Sequence, residues 1–276
     1  MNGVLARGTV TRTLIHAGLG AYALVIVLPF FWMFAASFKT TKEIFADPFG
    51  WPESLSLANY ARAWDQGIGA YFLNSLIVTA ITVLLIILLS GIAAYGFARL
   101  RFRGRTLLYA LIIAGYAVPI HTVLVPLYKM LDAGGMLDSY SGLILPYVAF
   151  GIPFSIILLY AFLLEFPREL EEAARLDGCN RWQTIRHVVA PLSLPGISSV
   201  AIFMGVFTWN EFLLGLLILS SDDLKTLPVG LAAFQGAYGS DWGALMAGVV
   251  LATLPLLVLY MALQKHFVRS LAGLGK

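Results

Sequence analysis

The chain has 276 residues, of which 59% are apolar and only 12% are charged, with a formal net charge of +3 and a mean hydropathy of +0.84. A soluble domain carries roughly 25% charged residues, so a disordered chain, a nucleic-acid binder working through a basic surface and an ordinary cytosolic enzyme are excluded. The single cysteine, Cys179, excludes an internal disulfide framework and a cysteine-rich metal cage.

A helix needs about 20 apolar residues to cross a bilayer core about 30 Å thick. In chain order, residues 14–38, 72–98, 106–128 and 142–164 are free of Lys, Arg, Asp and Glu. Residues 194–219 are interrupted only by Glu211, and residues 242–264 form the last hydrophobic stretch. Spanning strands would alternate polar and apolar residues over about ten positions, and no segment does so. The expected fold is all-α: a polytopic membrane helix bundle of six transmembrane helices. Arg7 and Arg12 precede the first span. Its apolar run exceeds the roughly 7–15 residues of a signal-peptide core. It is expected to stay as the first helix.

Basic residues orient the bundle. With the N-terminus inside, the inner segments hold Arg7, Arg12, Arg99, Arg101, Arg103, Arg105, Arg168, Arg175, Arg181, Arg186, Lys265, Arg269 and Lys276. The outer ones hold only Lys39, Lys42, Arg62, Lys129 and Lys225. Both termini are expected in the cytoplasm. The outer stretch 39–71, with Pro48, Pro52, Trp51, Tyr60 and Trp64, is long enough for short helices on the outer surface. The basic loop 99–105 reads as a topology anchor. Pro29, Pro119, Pro126, Pro146, Pro153 and Pro255 fall within spans, where each removes a backbone bond and can kink its helix.

The inner loop 165–190 is the most informative segment. Pro167 suits the first turn of a helix, and Glu169, Glu171 and Glu172 favour the positive end of its dipole. Gly178 can take the left-handed conformation just past the helix end. Asn180 with Gln183 fits a capping box opening a second helix, on which Trp182, Ile185 and Val189 share one face. Pro191 and Pro195 then introduce the fifth span. Leu170, Ala173, Ala174 and Asp177 line one side of the first helix, and the small alanines allow another surface to come close. Taken from periodicity alone, the same elbow also fits an amphipathic linker lying on the bilayer.

The run Glu172-Ala173-Ala174-Arg175-Leu176-Asp177-Gly178, with Ile185 and Pro191 downstream, resembles the EAA loop of ABC importer permeases. Cys179 and Ala190 depart from that family's usual alanine and leucine. Further motifs look like those of carbohydrate importers. They are Asn74-Ser75, Trp209-Asn210-Glu211-Phe212, Thr226-Leu227-Pro228-Val229-Gly230-Leu231, Phe234-Gln235-Gly236 and Gln264-Lys265-His266-Phe267-Val268-Arg269. Together they are similar to the shorter, six-span permease of maltose-type systems. The resemblance implies a single permease domain over residues 1–276, in an inner membrane, that forms half of a sugar path. It implies that Glu172, Ala173, Ala174, Asp177 and Gly178 couple the chain to ATPase subunits, with Glu172 and Asp177 meeting basic residues there. The implied partners are a second permease, two nucleotide-binding ATPase subunits, an external substrate-binding protein and membrane lipid, with no nucleic acid. ATP and Mg are then used by the ATPase subunits, and this chain binds no cofactor or metal. In that subfamily the C-terminal tail can reach toward the ATPase interface.

Gly273-Leu274-Gly275-Lys276 lacks the glycine spacing and the Ser/Thr of a phosphate loop. His16, His121, His187 and His266 are scattered over different segments, and no H-E-x-x-H or Ser–Lys pair stands at membrane depth. An intramembrane enzyme is rejected. An ion-coupled secondary transporter remains an alternative, although such transporters usually place several ionisable or unwound sites near the midplane. Candidate path residues are Asn74, His121, Asn210 and Glu211. His121 either packs between helices or faces the pore. Glu211 either lines the path with Asn210 or bonds a neighbouring helix or the partner permease. Phe234, Tyr238 and Trp242 either meet the binding protein or belt the membrane interface.

Overall fold

Helices account for all the regular structure among the described residues of the chain, a computed structural model in which residues 2–237 and 241–273 are placed, with side chains for 12–232, 241–262 and 264. In chain order the helices begin with α1 (Asn2–Ala36), α2 (Thr41–Ala46), α3 (Ala58–Ala63), α4 (Gly69–Arg99), α5 (Arg105–Tyr116), α6 (Leu124–Ala133) and α7 (Tyr140–Glu165). Then come α8 (Arg168–Leu176), α9 (Arg181–Thr184), α10 (Ala190–Leu192), α11 (Leu194–Asn210), α12 (Leu213–Ile218), α13 (Leu227–Ala237) and α14 (Trp242–Gly273).

Four stretches are long and apolar enough to cross a membrane: Arg12–Ala36, Ala58–Arg99, Tyr140–Glu165 and Trp242–Ala262. They correspond to the first, second, fourth and sixth predicted spans. The third and fifth are broken. The chain bends by 88° between Arg105–Tyr116 and Ile120–Ala133, within the third; a 69° bend between Arg181–Leu192 and Leu194–Asn210 lies just before the fifth, which breaks further along. Pro119 explains the first break. It has no N–H for the helix ladder and holds an extended backbone ahead of a 3-10 turn at Ile120–Val123. Pro29, Pro146, Pro153 and Pro255 instead lie inside continuous helices. In the fifth span the helix stops at Asn210, Glu211 turns extended (φ −68°, ψ 127°), and α12 restarts two residues later.

The chain divides into two compact units, one within Met1–Ile68 and Leu231–Ala252, the other within Gly69–Gly230 and Thr253–Lys276. In the first, α2 opens on a capping box between Thr40 and Glu43, and α3 follows after the turns of residues 47–57. The predicted short helices of the 39–71 stretch are therefore present. Asn59, buried, donates to the carbonyls of Ser37 (2.7 Å) and Lys39 (2.9 Å), tying α3 to the end of α1.

In the second unit α4, α7 and α11 pack around a core that includes Val78, Ile86, Tyr147, Leu159, Val200 and Met204. Lipid tails are as apolar as leucine, so association rests on close packing and hydrogen bonds rather than on escape from water. Small residues let the backbones approach. A β-carbon on Gly151 would stand 2.4 Å from Ile86 Cδ1 and 3.0 Å from Met204 Sδ, so α7 meets both neighbours closely at this glycine.

Candidate coupling elbow and polar residues of the spans

The loop that the sequence singles out folds as two helices joined by a tight turn. Pro167 occupies the position just before α8 rather than its first turn, and Glu169 and Glu171 fall within that turn. The helix ends as expected, with Gly178 at φ +86°. Cys179 N–H donates to Ala174 O (3.0 Å) and Gly178 N–H to Arg175 O (3.1 Å). These two bonds form a Schellman motif, which satisfies carbonyls that a helix end would leave unpaired. Asn180 then caps α9. Its Oδ1 accepts from Gln183 N–H (2.9 Å) while Gln183 Oε1 accepts from Asn180 N–H (2.8 Å). The capping box read from the sequence is present in both directions.

The expected shared face of Trp182, Ile185 and Val189 is only partly kept. Val189 joins the core and Ile185 packs against it, whereas Trp182 is 65% exposed and Thr184 is buried in its stead. A π-helical turn over Ile185–Val189 accounts for the difference. Its wider turn shifts the register on which an α-helical face was counted.

The elbow is anchored by a buried ion pair. Glu171 is 3% exposed, and its Oε1 accepts from Arg99 Nε at 2.6 Å. Tyr95, one turn earlier on α4, donates to Glu171 Oε2 (3.1 Å), and Arg99 Nη2 donates to Phe166 O (3.0 Å). The last turn of α4 thus grips both the entry and the body of α8. Arg105 is likewise engaged, donating to the Tyr160 hydroxyl on α7 (2.9 Å). Tyr95 and Arg99 are four residues apart and share a helix face. The sequence carries no signal for which of Glu169, Glu171 and Glu172 they meet.

With Glu171 turned inward, Glu172, Ala173, Asp177 and Gly178 are exposed, as is Leu176 at 90%. Ala174 is 8% exposed and packs inward. The outward face of α8 sets Glu172, Ala173 and Asp177 beside the exposed Arg175 and Leu176; the inward face is clamped.

The candidate path residues do not converge. Asn74 is buried, and its amide is fully occupied. It donates to Asp223 O (2.7 Å) and Lys225 O (2.9 Å) and accepts from the Tyr140 hydroxyl (2.7 Å). Next to it, Ser75 Oγ accepts from Leu227 N–H (2.7 Å). The Asn74-Ser75 and Thr226-Leu227 motifs thus hold one another. Glu211 closes the break in the fifth span. Its Oε1 accepts from Leu214 N–H (2.9 Å), and its Oε2 accepts from Gly215 N–H (3.3 Å) and the Tyr147 hydroxyl (2.5 Å). Of the two readings of Glu211, this is the one in which it bonds a neighbouring helix. Asn210 is exposed and donates to Val206 O within its own helix (2.8 Å).

His121 stands elsewhere, at the break after Pro119. It lines a cavity of about 680 Å³ with Tyr116, Phe150, Phe154, Phe203 and Phe207. Glycine and proline at Gly115, Pro119, Gly151 and Pro153 also line this space. Among the described residues no group of three or more His, Cys, Asp or Glu side chains is placed to hold a metal ion. Trp242 meets Phe45 edge-on, while the side chain of Phe234 and all of Tyr238 lie outside the described residues, as does the C-terminal end of the tail.

Outside the spans, Asp138 ties two loops together. It adopts φ +52°, and its N–H donates to Ile218 O (2.9 Å). Its carboxylate accepts from the Ser221 hydroxyl and from the N–H groups of Ser221 and Ser220, both 2.9 Å. The Ser221 hydroxyl first, and then these N–H groups, hold the Asp138 carboxyl below the usual carboxylate range.

Residues 86–273 match the family described as the inner membrane component of binding-protein-dependent transport systems. The chain belongs to this family. It is therefore a multi-pass membrane permease subunit of an ABC transport system, and the ion-coupled alternative has no support. Among its relatives is the diacetylchitobiose uptake system permease protein NgcG of Streptomyces coelicolor, 38% identical over 93% of this chain and 86% of its own length. The trehalose/maltose transport system permease protein MalG of Thermococcus litoralis is 32% identical, with 95% of each chain covered. The fold is also similar to a chain in the crystal structure of a bacterial ABC transporter involved in import of the acidic polysaccharide alginate. That match has a TM-score of 0.79 at 21% identity, with 94% of this chain and 97% of that one covered.

Proposed function

We propose that this permease forms half of the translocation path of an importer for a sugar or oligosaccharide. In this reading it is paired with a second permease, fed by an external binding protein and driven by two ATPase subunits. The observation that carries the coupling role is the elbow over residues 168–189. It is capped at its turn, clamped through Glu171 and Arg99 to the end of α4, and presents Glu172, Ala173 and Asp177 on its exposed face. A lever must be stiff and must join the element it moves. The elbow has both properties.

Glu172 and Asp177 pair with basic residues of the ATPase, while Ala173 and Gly178 allow close approach. Ala174 supports the elbow from beneath. Closure of the ATPase pair pushes α8, and the buried ion pair passes the displacement to α4. ATP and Mg are bound and used by the ATPase subunits, and this chain holds neither. Both termini, and the elbow with them, face the cytoplasm of an inner membrane, as thirteen of the eighteen basic residues indicate. Diacetylchitobiose and trehalose/maltose, in the names of the relatives, support a saccharide as cargo.

The test is uptake in proteoliposomes holding the whole importer, with labelled maltose-class and chitobiose-class oligosaccharides outside and ATP inside. ATP-dependent accumulation of a saccharide, lost on Glu172→Lys/Asp177→Lys, is expected. Accumulation that needs an ion gradient and ignores ATP would refute the proposal.

A further inference from the structure

Residues 47–57 follow α2 and fold back along the end of α1. Two donors from α1 and the residues just after it hold consecutive carbonyls of this segment. Trp32 Nε1 donates to Pro48 O (2.6 Å), and the buried Lys39 ammonium donates to Asp47 O (2.8 Å). Asp47 Oδ1 accepts from Gly50 N–H (2.9 Å), which closes the turn. The Trp51 ring then meets Phe31 edge-on at 5.8 Å between centroids.

That contact fixes a position along α1. Phe31 lies five residues before the last residue of α1, about 7.5 Å down the helix at 1.5 Å per residue. Trp51 therefore sits beside the last turns of α1, not beyond its end. Phe30, Phe31 and Trp32 form an aromatic group at the same level, as expected where a span passes the headgroup boundary. From Arg12 to Phe31 α1 is exposed throughout, so the lipid-facing surface of the helix runs directly into the fold-back.

The fold-back itself presents apolar side chains outward: Phe49 is 84% exposed, Trp51 80%, Leu55 79% and Leu57 67%. Glu53, Ser54 and Ser56 are exposed among them. Irregular backbone facing lipid is not tolerated in the hydrocarbon core, where its polar groups would go unpaired. It is tolerated at the headgroup boundary, and interfacial segments sit about 5–10 Å into it. The aromatic level and the mixed exposed face agree with that placement.

We infer that residues 47–57 form an interfacial anchor. The segment is strapped to α1 and sits at the phospholipid headgroup boundary of the leaflet in which α1 ends, with Phe49, Trp51 and Leu55 against the upper acyl chains. The anchor fixes the vertical position of α1 and requires only that α1 cross the membrane.

The test uses the full chain with Cys179→Ser and single cysteines carrying nitroxide labels, in vesicles of phosphatidylethanolamine and phosphatidylglycerol. Power saturation compares collision with oxygen, which concentrates in lipid, and with a nickel chelate, which stays in water. Labels at Phe49→Cys and Leu55→Cys are expected to favour oxygen, reading between a mid-span label at Val25→Cys and a charged-position label at Lys42→Cys. Nickel accessibility equal to that at Lys42→Cys would overturn the anchor. So would shielding from both reagents in the importer purified with its partner subunits, which would mean that protein covers the segment. As a second readout, Trp51→Phe is expected to reduce the tryptophan emission quenched by lipids brominated near the headgroup. Unchanged quenching would count against the anchor independently of the labels.

Discussion

Glu171 and Glu172 are neighbours in the chain with opposite surroundings: one is gripped by Arg99 and Tyr95, and the other is exposed on the outward face of α8. Removing one partner of a buried ion pair leaves a charge without compensation, at a cost of about 3–5 kcal/mol. Arg99→Ala is therefore expected to lower the unfolding temperature in detergent sharply. The double change Arg99→Met/Glu171→Leu should recover most of the loss, because it leaves no charge stranded. A double variant as unstable as the single would show that the pair is not the source. Glu211 offers a second test. Glu211→Ala strands the Tyr147 hydroxyl and two N–H groups of α12, each worth about 1–3 kcal/mol when left unpaired, whereas Glu211→Gln keeps an acceptor and should be mild. An unchanged unfolding temperature for Glu211→Ala, with uptake abolished, would instead give Glu211 to the path.

At the scale of elements, the turn of the elbow depends on Gly178. No atom beyond its chain neighbours lies within 4 Å of a β-carbon built there, so a substitution meets strain rather than a clash. Gly178→Ala should cost about 1–2 kcal/mol for the left-handed conformation, and Gly178→Asn less. The measurable outcome is faster amide exchange across residues 168–189 and more ATP hydrolysed per molecule imported. Equal exchange in the alanine and wild-type chains would contradict it. The loop brace at Asp138 should respond to acid. Its carboxyl is held below its unfolded value, so its contribution is present above the usual carboxylate range and lost as pH falls through the lowered value. Exchange protection of residues 219–225 should fall on acidification in the wild-type chain, and that pH step should vanish in Asp138→Asn.

The caps at the turn of the elbow were legible in the sequence because they are local: Gly178 and Asn180 with Gln183 each act within a few residues, while Pro167 stands one position earlier than expected. The Arg99–Glu171 pair was not, since it joins positions 72 residues apart. The fifth span read as one helix because Glu211 is its only charged residue, and hydropathy does not register that Glu211 caps a restart. For the third span Pro119 was a visible signal, but a proline can also sit inside a continuous helix, as Pro146 and Pro153 do in α7.

For the molecule as a whole, composition alone indicated a membrane protein, and the EAA resemblance pointed to the transport family to which the chain belongs. The cargo is less legible, because Asn74 and Glu211 are occupied in holding the fold and His121 stands apart beside an aromatic cavity. The coupling claim is tested most directly by purifying the tagged chain from its native membrane in mild detergent and identifying what stays bound by mass spectrometry. The wild-type chain is expected to carry a second permease and an ATP-hydrolysing subunit. Glu172→Lys/Asp177→Lys should retain the permease and lose the ATPase. Recovery of the chain alone or as a self-dimer, with the variant behaving identically, would contradict coupling through the elbow.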